Sequence, residues 1–173
     1  MTKTFDRKNG SIFLTEPLTI RAATPDDLSD LSQIICECLE HYFGSSDGGE
    51  KAASRVLGEV PGSVETAIAY LNGKPVGFAT FAVVYPGPNG RGTLFMKDLF
   101  VSGAARSQNL GRRLMTYLAN VACERDCVRF DWTAETSNPR ALSFYDDLGA
   151  SRVTDKVYFR LEGDRLTGLS KES

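Results

Sequence analysis

Apolar and polar positions change period several times along the chain, and each change marks an element. Leu18-Thr19-Ile20-Arg21 alternates with a period of two, as a short strand does. Thr24, Pro25, Asp26 and Asp27 then supply an N-cap, a first-turn proline and acidic residues at the positive end of a helix. Leu28, Leu31, Ile34, Ile35, Cys38, Leu39 and Tyr42 follow helical spacing until Gly44 and a Ser/Gly cluster break it, so this helix covers a sheet. Glu50 to Leu57 reads as a further helix, bracketed by glycines and closed by Pro61-Gly62. Val64 to Leu71 and Pro75 to Tyr85 are β-rich and meet at Asn72-Gly73-Lys74, a hairpin signal because Asn-Gly accepts positive φ.

After a turn at Pro86-Gly87-Pro88-Asn89-Gly90, Thr93 to Val101 forms a third long strand of an antiparallel meander. Leu110, Leu114, Leu118, Val121 and Ala122 are the buried stripe of the next helix, with Asp126 near its end, and Val128 to Glu135 returns as a strand. Strand, turn, helix and strand make a βαβ unit. Asn138 is a good N-cap and Pro139 a good first helical residue; Ala141, Leu142, Tyr145 and Leu148 continue that helix until Gly149 stops it. A last strand is expected at about Val157 to Glu162. No repeat, linker or low-complexity segment interrupts this order. The pattern predicts one α/β (α+β) domain over residues 1–173, with a mixed, twisted sheet and helices on both faces.

Composition narrows the function. At 173 residues, 42% apolar and 24% charged, the chain suits one core rather than disorder or a fibrous architecture. A net charge of -2 argues against a general nucleic-acid binder, so any anion site must be local. No apolar run reaches the length that spans a bilayer, and Met1 to Gly10 is polar, without the apolar core of a signal peptide; a cytoplasmic address and no membrane partner are expected. The four cysteines, Cys36, Cys38, Cys123 and Cys127, all fall within helical patterns. Cys36 and Cys38 diverge on a helix. Cys123 and Cys127 share a helical face but have no histidine nearby, so reduced, mostly buried thiols are expected and no metal.

Two segments carry candidate chemistry. Arg106-Ser107-Gln108-Asn109-Leu110-Gly111-Arg112-Arg113 opens an amphipathic helix. A helix start offers N–H groups without intrahelical partners and a partial positive charge, which together favour phosphate. The segment is neither a nucleotide-triphosphate loop nor a dinucleotide fingerprint, and alone it reads first as a solvated basic helix start. Asn138-Pro139-Arg140-Ala141 runs on to Phe144-Tyr145, placing a phenol on a short helix; alone, Tyr145 reads as a core aromatic.

The pattern Arg-x-x-x-x-Gly-Arg, after a strand ending Asp98-Leu99-Phe100-Val101, is similar to motif A of the GNAT superfamily of acetyl-coenzyme A dependent N-acetyltransferases. Asn138, Ala141, Phe144, Tyr145 and Gly149 resemble its motif B, and Ile20 to Thr24 with Asp27-Leu28 resemble its first strand and helix. The resemblance covers about Leu18 to Glu162. It implies the GNAT fold, here with about six to seven strands, and direct attack of an amine on acetyl-coenzyme A in a ternary complex, with coenzyme A as product. Arg106, Ser107, Gln108, Asn109, Leu110, Gly111 and Arg112 would cradle the pyrophosphate, and the backbone of Leu99, Phe100 and Val101 would take the pantetheine arm and the oxyanion. Asn138, Arg140 and Ala141 complete the implied coenzyme contacts. Tyr145 would be the acid: a phenol of pKa about 10 holds its proton at neutral pH and can reprotonate a thiolate whose conjugate acid lies at about 8.5. Asp98 is the candidate base, directly or through water, with a structural hydrogen-bonding role equally open. Asn109 stands where most members have glycine, and asparagine tolerates positive φ better than other non-glycine residues.

Within the superfamily, Phe95 to Val101 and Phe159 to Gly163 most resemble the diamine and polyamine acetyltransferase branch, which implies a cationic small-molecule amine as partner. That branch carries acidic residues where this chain has Lys97 and Tyr42. Lys97 would repel a second ammonium and suits a carboxylate, which favours an amino-acid-like acceptor. Asp131 argues for a cation; Asp131 and Thr133 share a strand face, with Trp132 opposite. His41, Tyr42, Lys97, Asp131 and Thr133 are the candidate acceptor contacts. A protein amino group as acceptor and a non-catalytic acyl-coenzyme A binding module are the alternatives, and a homodimer is expected by analogy.

Overall fold

The computed structural model describes residues 2–5, 12–15, 18–59, 64–105 and 109–172. The chain divides into two compact units, Met1–Thr133 and Ala134–Ser173. In the first, β1 (Thr2–Phe5) and β2 (Ile12–Thr15) pair antiparallel as a separate two-stranded sheet, in a region where the sequence pattern indicates no element. The main sheet contains β3 (Thr19–Ala22), β4 (Glu65–Leu71), β5 (Lys74–Val84), β6 (Gly92–Val101) and β7 (Cys127–Trp132), in that spatial order. Every neighbouring pair is antiparallel except β6–β7, which is parallel because a helix connects the two. The β4–β5 hairpin turns where expected, with Asn72 at φ 53° and Gly73 at φ 72°.

Three helices cover this sheet. Helix α1 (Leu28–Phe43), followed by α2 (Gly49–Ser54), packs Leu31, Ile34, Ile35 and Ala53 on Ile68, Tyr70, Phe78 and Phe100 of one face. Gly44 in the left-handed conformation (φ 70°) ends α1, its N–H bonded to the Glu40 carbonyl. On the other face, α3 (Leu110–Glu124) buries Leu110, Leu114, Met115, Leu118 and Ala122. Gly77 lets α3 and β6 approach β5 closely: a Cβ there would lie 2.8 Å from the Phe100 carbonyl oxygen and 3.4 Å from side-chain carbons of Leu110 and Leu114. Arg125, which caps α3, donates from Nη1 and Nη2 to the two carboxylate oxygens of Glu65, tying the helix end to the start of β4.

The second unit contains α4 (Pro139–Asp147) and α5 (Gly163–Leu169). The Ala141 N–H donates to Asn138 Oδ1 at 3.1 Å, capping α4 as the sequence predicts, and Gly149 follows its end with φ 83°. Three expectations need correction. The main sheet has five strands among the described residues, not six to seven. The strand expected at Val157–Glu162 is absent: alternation gives a segment an apolar face but not a partner, and this unit contains no described strand to pair with, leaving Val157 75% and Phe159 88% exposed. Cys127 opens β7 rather than continuing α3, so it shares no helical face with Cys123, and Cys123 is exposed. No helix of the described residues is long and apolar enough to cross a membrane.

One polar node fixes the start of α1. Asp27 is buried and accepts from Arg21 Nη2 (2.6 Å) and Nη1 (2.7 Å), the Thr24 N–H (2.7 Å), Thr24 Oγ1 (3.0 Å) and Tyr70 Oη (3.0 Å). The Arg21 guanidinium holds this carboxyl well below the usual carboxylate range, helped by Thr24 and Tyr70 and opposed by burial. Burial, with the bond to Asp27, pushes the Tyr70 phenol above its ordinary value. A carboxyl whose folded pKa is depressed stabilises the fold above its unfolded pKa, and that contribution is lost as pH falls toward the folded value. Asp27→Asn is therefore expected to cost about 2 kcal/mol at neutral pH. The difference from wild type should narrow as pH drops below about 4; denaturant titrations at several pH values measure both.

Candidate active site

The geometry of the site starts with one extra residue in β6. Across the β5–β6 ladder Thr80 faces Asp98 while the next residue, Phe81, faces Met96, so Lys97 is a bulge with no counterpart. The bulge switches side-chain faces. Phe81 and Met96 share the face of Gly77, which lies against α3, whereas Asp98 lies in register with Thr80, and Phe100 with Phe78, on the face of α1.

The bulge also coincides with an opening in the sheet. β7 pairs with β6 only as far as Met96↔Trp132, so beyond it residues 97–100 have no strand on that flank among the described residues. The Ser102 N–H donates to the Val76 carbonyl at 2.9 Å. Amides alternate along a ladder, so those of Phe100 and Asp98 also face β5, and those of Leu99 and Val101 face the flank that β7 has left.

Above this stretch stands the last turn and a half of α1. His41 lies 6.1 Å and Tyr42 6.4 Å, ring centre to ring centre, from Phe100. Cys38, one turn earlier, has its thiol pushed up to about 12, first by burial and then by the negative charges of Asp98 and Glu37. Asp98 accepts from Thr80 Oγ1 at 2.6 Å through one oxygen and lies 3.8 Å from Lys97 Nζ through the other. Thr66, in register with Thr80 on β4, extends this polar row; its buried hydroxyl, like that of Ser32 on α1, has no hydrogen-bond partner among the described residues. Asp131 pairs in register with Phe95, which pairs with Ala82, so Asp131 shares the face of Asp98. Thr133 lies one residue past the end of β7 and is exposed.

On the far side of the β6 end, Ser102–Ala105 makes a single tight turn, with the Ala105 N–H bonded to the Ser102 carbonyl. Arg106, Ser107 and Gln108 lie outside the described residues. Asn109 adopts the left-handed conformation, φ 55° and ψ 22°, directly before α3. The first intrahelical bond runs from the Arg113 N–H to the Asn109 carbonyl, so the amides of Leu110 and Gly111 precede the helical ladder. Arg112 is exposed on the first turn. The side chains of Leu110 and Phe100 are core residues, so only their backbones are available to a ligand.

The second unit holds the remaining candidates on α4. Tyr145 is half-buried, its ring 5.1 Å from that of Phe144, and Arg140 is exposed. The Ala141 N–H is already used by the Asn138 cap.

Sequence reading missed Thr80, Cys38 and Glu37. Glu37 Oε1 accepts the Gly103 N–H at 3.4 Å, a contact between α1 and the turn after β6. None of the three belongs to a local motif. Each acquires its neighbours from strand register or helix packing, and the only sequence trace is the helical spacing that puts Glu37, Cys38, His41 and Tyr42 on adjoining turns.

The sequence profile of the acetyltransferase (GNAT) family matches residues 28–150. A thialysine N-epsilon-acetyltransferase of Caenorhabditis elegans is 26% identical across 88% of this chain and 97% of its own length. The mouse protein of the same name is 28% identical over 98 residues, and the chain spans only 57% of its length. Among solved structures, an integron cassette protein from the mobile metagenome of V. cholerae superposes with a TM-score of 0.83 at 38% identity, covering 90% of this chain and 98% of that one. The matched residues run from the start of α1 to just past the end of α4, and the chain belongs to the acetyltransferase (GNAT) family.

Proposed function

We propose that the protein is an N-acetyltransferase that transfers an acetyl group from acetyl-coenzyme A to a primary amine of a small molecule, by direct attack in a ternary complex. The observation that carries this reading is the open flank of β6 at Leu99, where a backbone donor faces away from β5 beside an acidic residue and just ahead of a left-handed helix start. An extended acyl carrier with a diphosphate fits such an edge, because its amide arm can add to the strand while its phosphates meet the amides of Leu110 and Gly111 and the charge of Arg112. The family's co-substrate is acetyl-coenzyme A, which when bound supplies an acyl thioester and a thiol leaving group.

The residues divide the work. The Leu99 N–H donates toward the carbonyl oxygen that gains charge. Asp98, held by Thr80, accepts a proton from the acceptor's ammonium, directly or through water, which frees the nitrogen lone pair for attack on the thioester carbon. Tyr145 carries the proton destined for the departing sulfur. His41, Tyr42, Lys97 and Asp131 bound the acceptor side: Lys97 offers a cation to a carboxylate and Asp131 an anion to an amine. This pairing suits an amino-acid-like acceptor with a distal amine better than a plain polyamine, in keeping with the thialysine acetyltransferases among the relatives. Four free thiols agree with a reducing, cytoplasmic setting. A homodimer completes the proposal and is measurable by sedimentation.

Tyr145→Phe should lower turnover at least about 100-fold while coenzyme A affinity changes less than about twofold; turnover that survives intact removes Tyr145 as the acid. Arg112→Glu should do the reverse, weakening coenzyme A binding about tenfold by calorimetry, and an unchanged affinity would reject the diphosphate assignment. Initial rates with acetyl-coenzyme A across diamines, polyamines, basic amino acids and peptides decide the acceptor class. Small primary amines are expected to lead. Turnover of peptides alone would replace this reading with a protein acetyltransferase, and coenzyme binding without any turnover would leave a binding module.

A further inference from the structure

We infer that Glu37 is a positioning residue for the coenzyme turn, through which α1, the wall of the acceptor side, restrains the backbone that leads into the diphosphate site. The inference rests on the proposed coenzyme site and adds a residue to it. Glu37 Oε1 accepts the N–H of Gly103, 66 positions away, at 3.4 Å. Gly103 opens the tight turn Gly103–Ala105 that carries the chain from β6 toward residues 106–108 and α3. That turn is otherwise held by Ser102 N–H to the Val76 carbonyl, Ala105 N–H to the Ser102 carbonyl and Ala104 N–H to Ser102 Oγ (3.4 Å), none of which engages the Gly103 N–H. Between them stands a glycine, the residue with most backbone freedom to lose.

The same helix also reaches the acceptor side. His41, one helical turn further, shares a face with Glu37 and packs its ring toward Phe100. One helix therefore touches β6 at Phe100 and the chain beyond it at Gly103. The turn and the acceptor side thus share one support in α1. The role is one of position, since Glu37 contacts the turn and not the reacting atoms.

Gly103 provides an independent handle. A Cβ built there meets no heavy atom within 4 Å, so alanine fits and narrows the same backbone freedom that the Glu37 contact restrains. The test is calorimetric titration of the full chain with coenzyme A, paired with acetyl-coenzyme A kinetics on the best amine from the acceptor screen. Glu37→Ala should weaken coenzyme A binding about fivefold, in line with the loss of one hydrogen bond from a charged acceptor. The loss should appear in KM for acetyl-coenzyme A more than in kcat. Glu37→Gln, which keeps an acceptor oxygen, should stay within about twofold of wild type. The double variant Glu37→Ala with Gly103→Ala should recover at least about half of the lost affinity on a logarithmic scale. Wild-type affinity in Glu37→Ala, an equal loss in Glu37→Gln, or no recovery in the double variant would each overturn the inference. A wild-type chain that fails to bind coenzyme A would instead overturn the proposed site itself, which separates the two failures.

Discussion

A β-ladder repeats every two residues, so a single inserted residue turns every side chain beyond it to the opposite face, and the insertion at Lys97 does this in the middle of β6. Before it, Leu94 and Met96 pair with Val83 and Phe81 on the side of α3; after it, Asp98 and Phe100 join Thr80 and Phe78 on the side of α1. An uninterrupted strand would send the carboxyl of Asp98 toward the apolar packing of α3, where a charge has no partner and would be costly. The same insertion sits one residue past the last β6–β7 pair. Bulges disrupt the local ladder and increase its twist, and β7 itself ends at Trp132, the partner of Met96. One insertion thus coincides with two features of the candidate site, an acidic group on the face of α1 and a strand flank with an outward amide at Leu99.

Helix α1 can act as a wall because it is held at both ends. At its start, five donor contacts converge on Asp27, from Arg21 and Tyr70 of two neighbouring strands and from Thr24. In its middle, Leu31 and Ile34 are fully buried against the sheet. At its far end the rings of His41 and Tyr42 lean on Phe100 before Gly44 releases the chain. The residues that touch β6 near Asp98 are therefore carried on a rod whose axis is set elsewhere. A site built on helices and strands in this way is more finely positioned than one built on loops.

The elements were legible wherever a local rule decides them. Pro25 and Asp27 at the start of α1, Asn72-Gly73 in the hairpin and Asn138 at the start of α4 act through neighbours in sequence, and each stands where the pattern puts it. Asn109 is of the same kind: the left-handed residue before α3 is the substitute for glycine that the turn accepts. The Lys97 bulge was not legible, because nothing in Met96-Lys97-Asp98 distinguishes a strand that skips a pair from one that does not; only the partner β5 reveals it. Thr80 and Glu37 were hidden for the same reason, since their contacts span 18 and 66 residues. The segment at Val157–Glu162 is the converse case, a stretch rich in β-forming residues with no neighbouring strand in its unit among the described residues.

The charges around Asp98 differ in how firmly they are held, and this difference bears on the chemistry. The bond from Thr80 is 2.6 Å long and its donor is buried, so it stays with the carboxylate whatever occupies the flank. The Lys97 contact is 3.8 Å long and its side chain is 74% exposed. Exposed pairs of that kind contribute about 1 kcal/mol or less. An acceptor carrying its own carboxylate can therefore draw Lys97 away at little cost, while the Thr80 bond keeps the Asp98 carboxylate in its place on the face of α1. In the proposed reaction the lysine at the bulge thus meets a carboxylate-bearing amine without disturbing the group beside it.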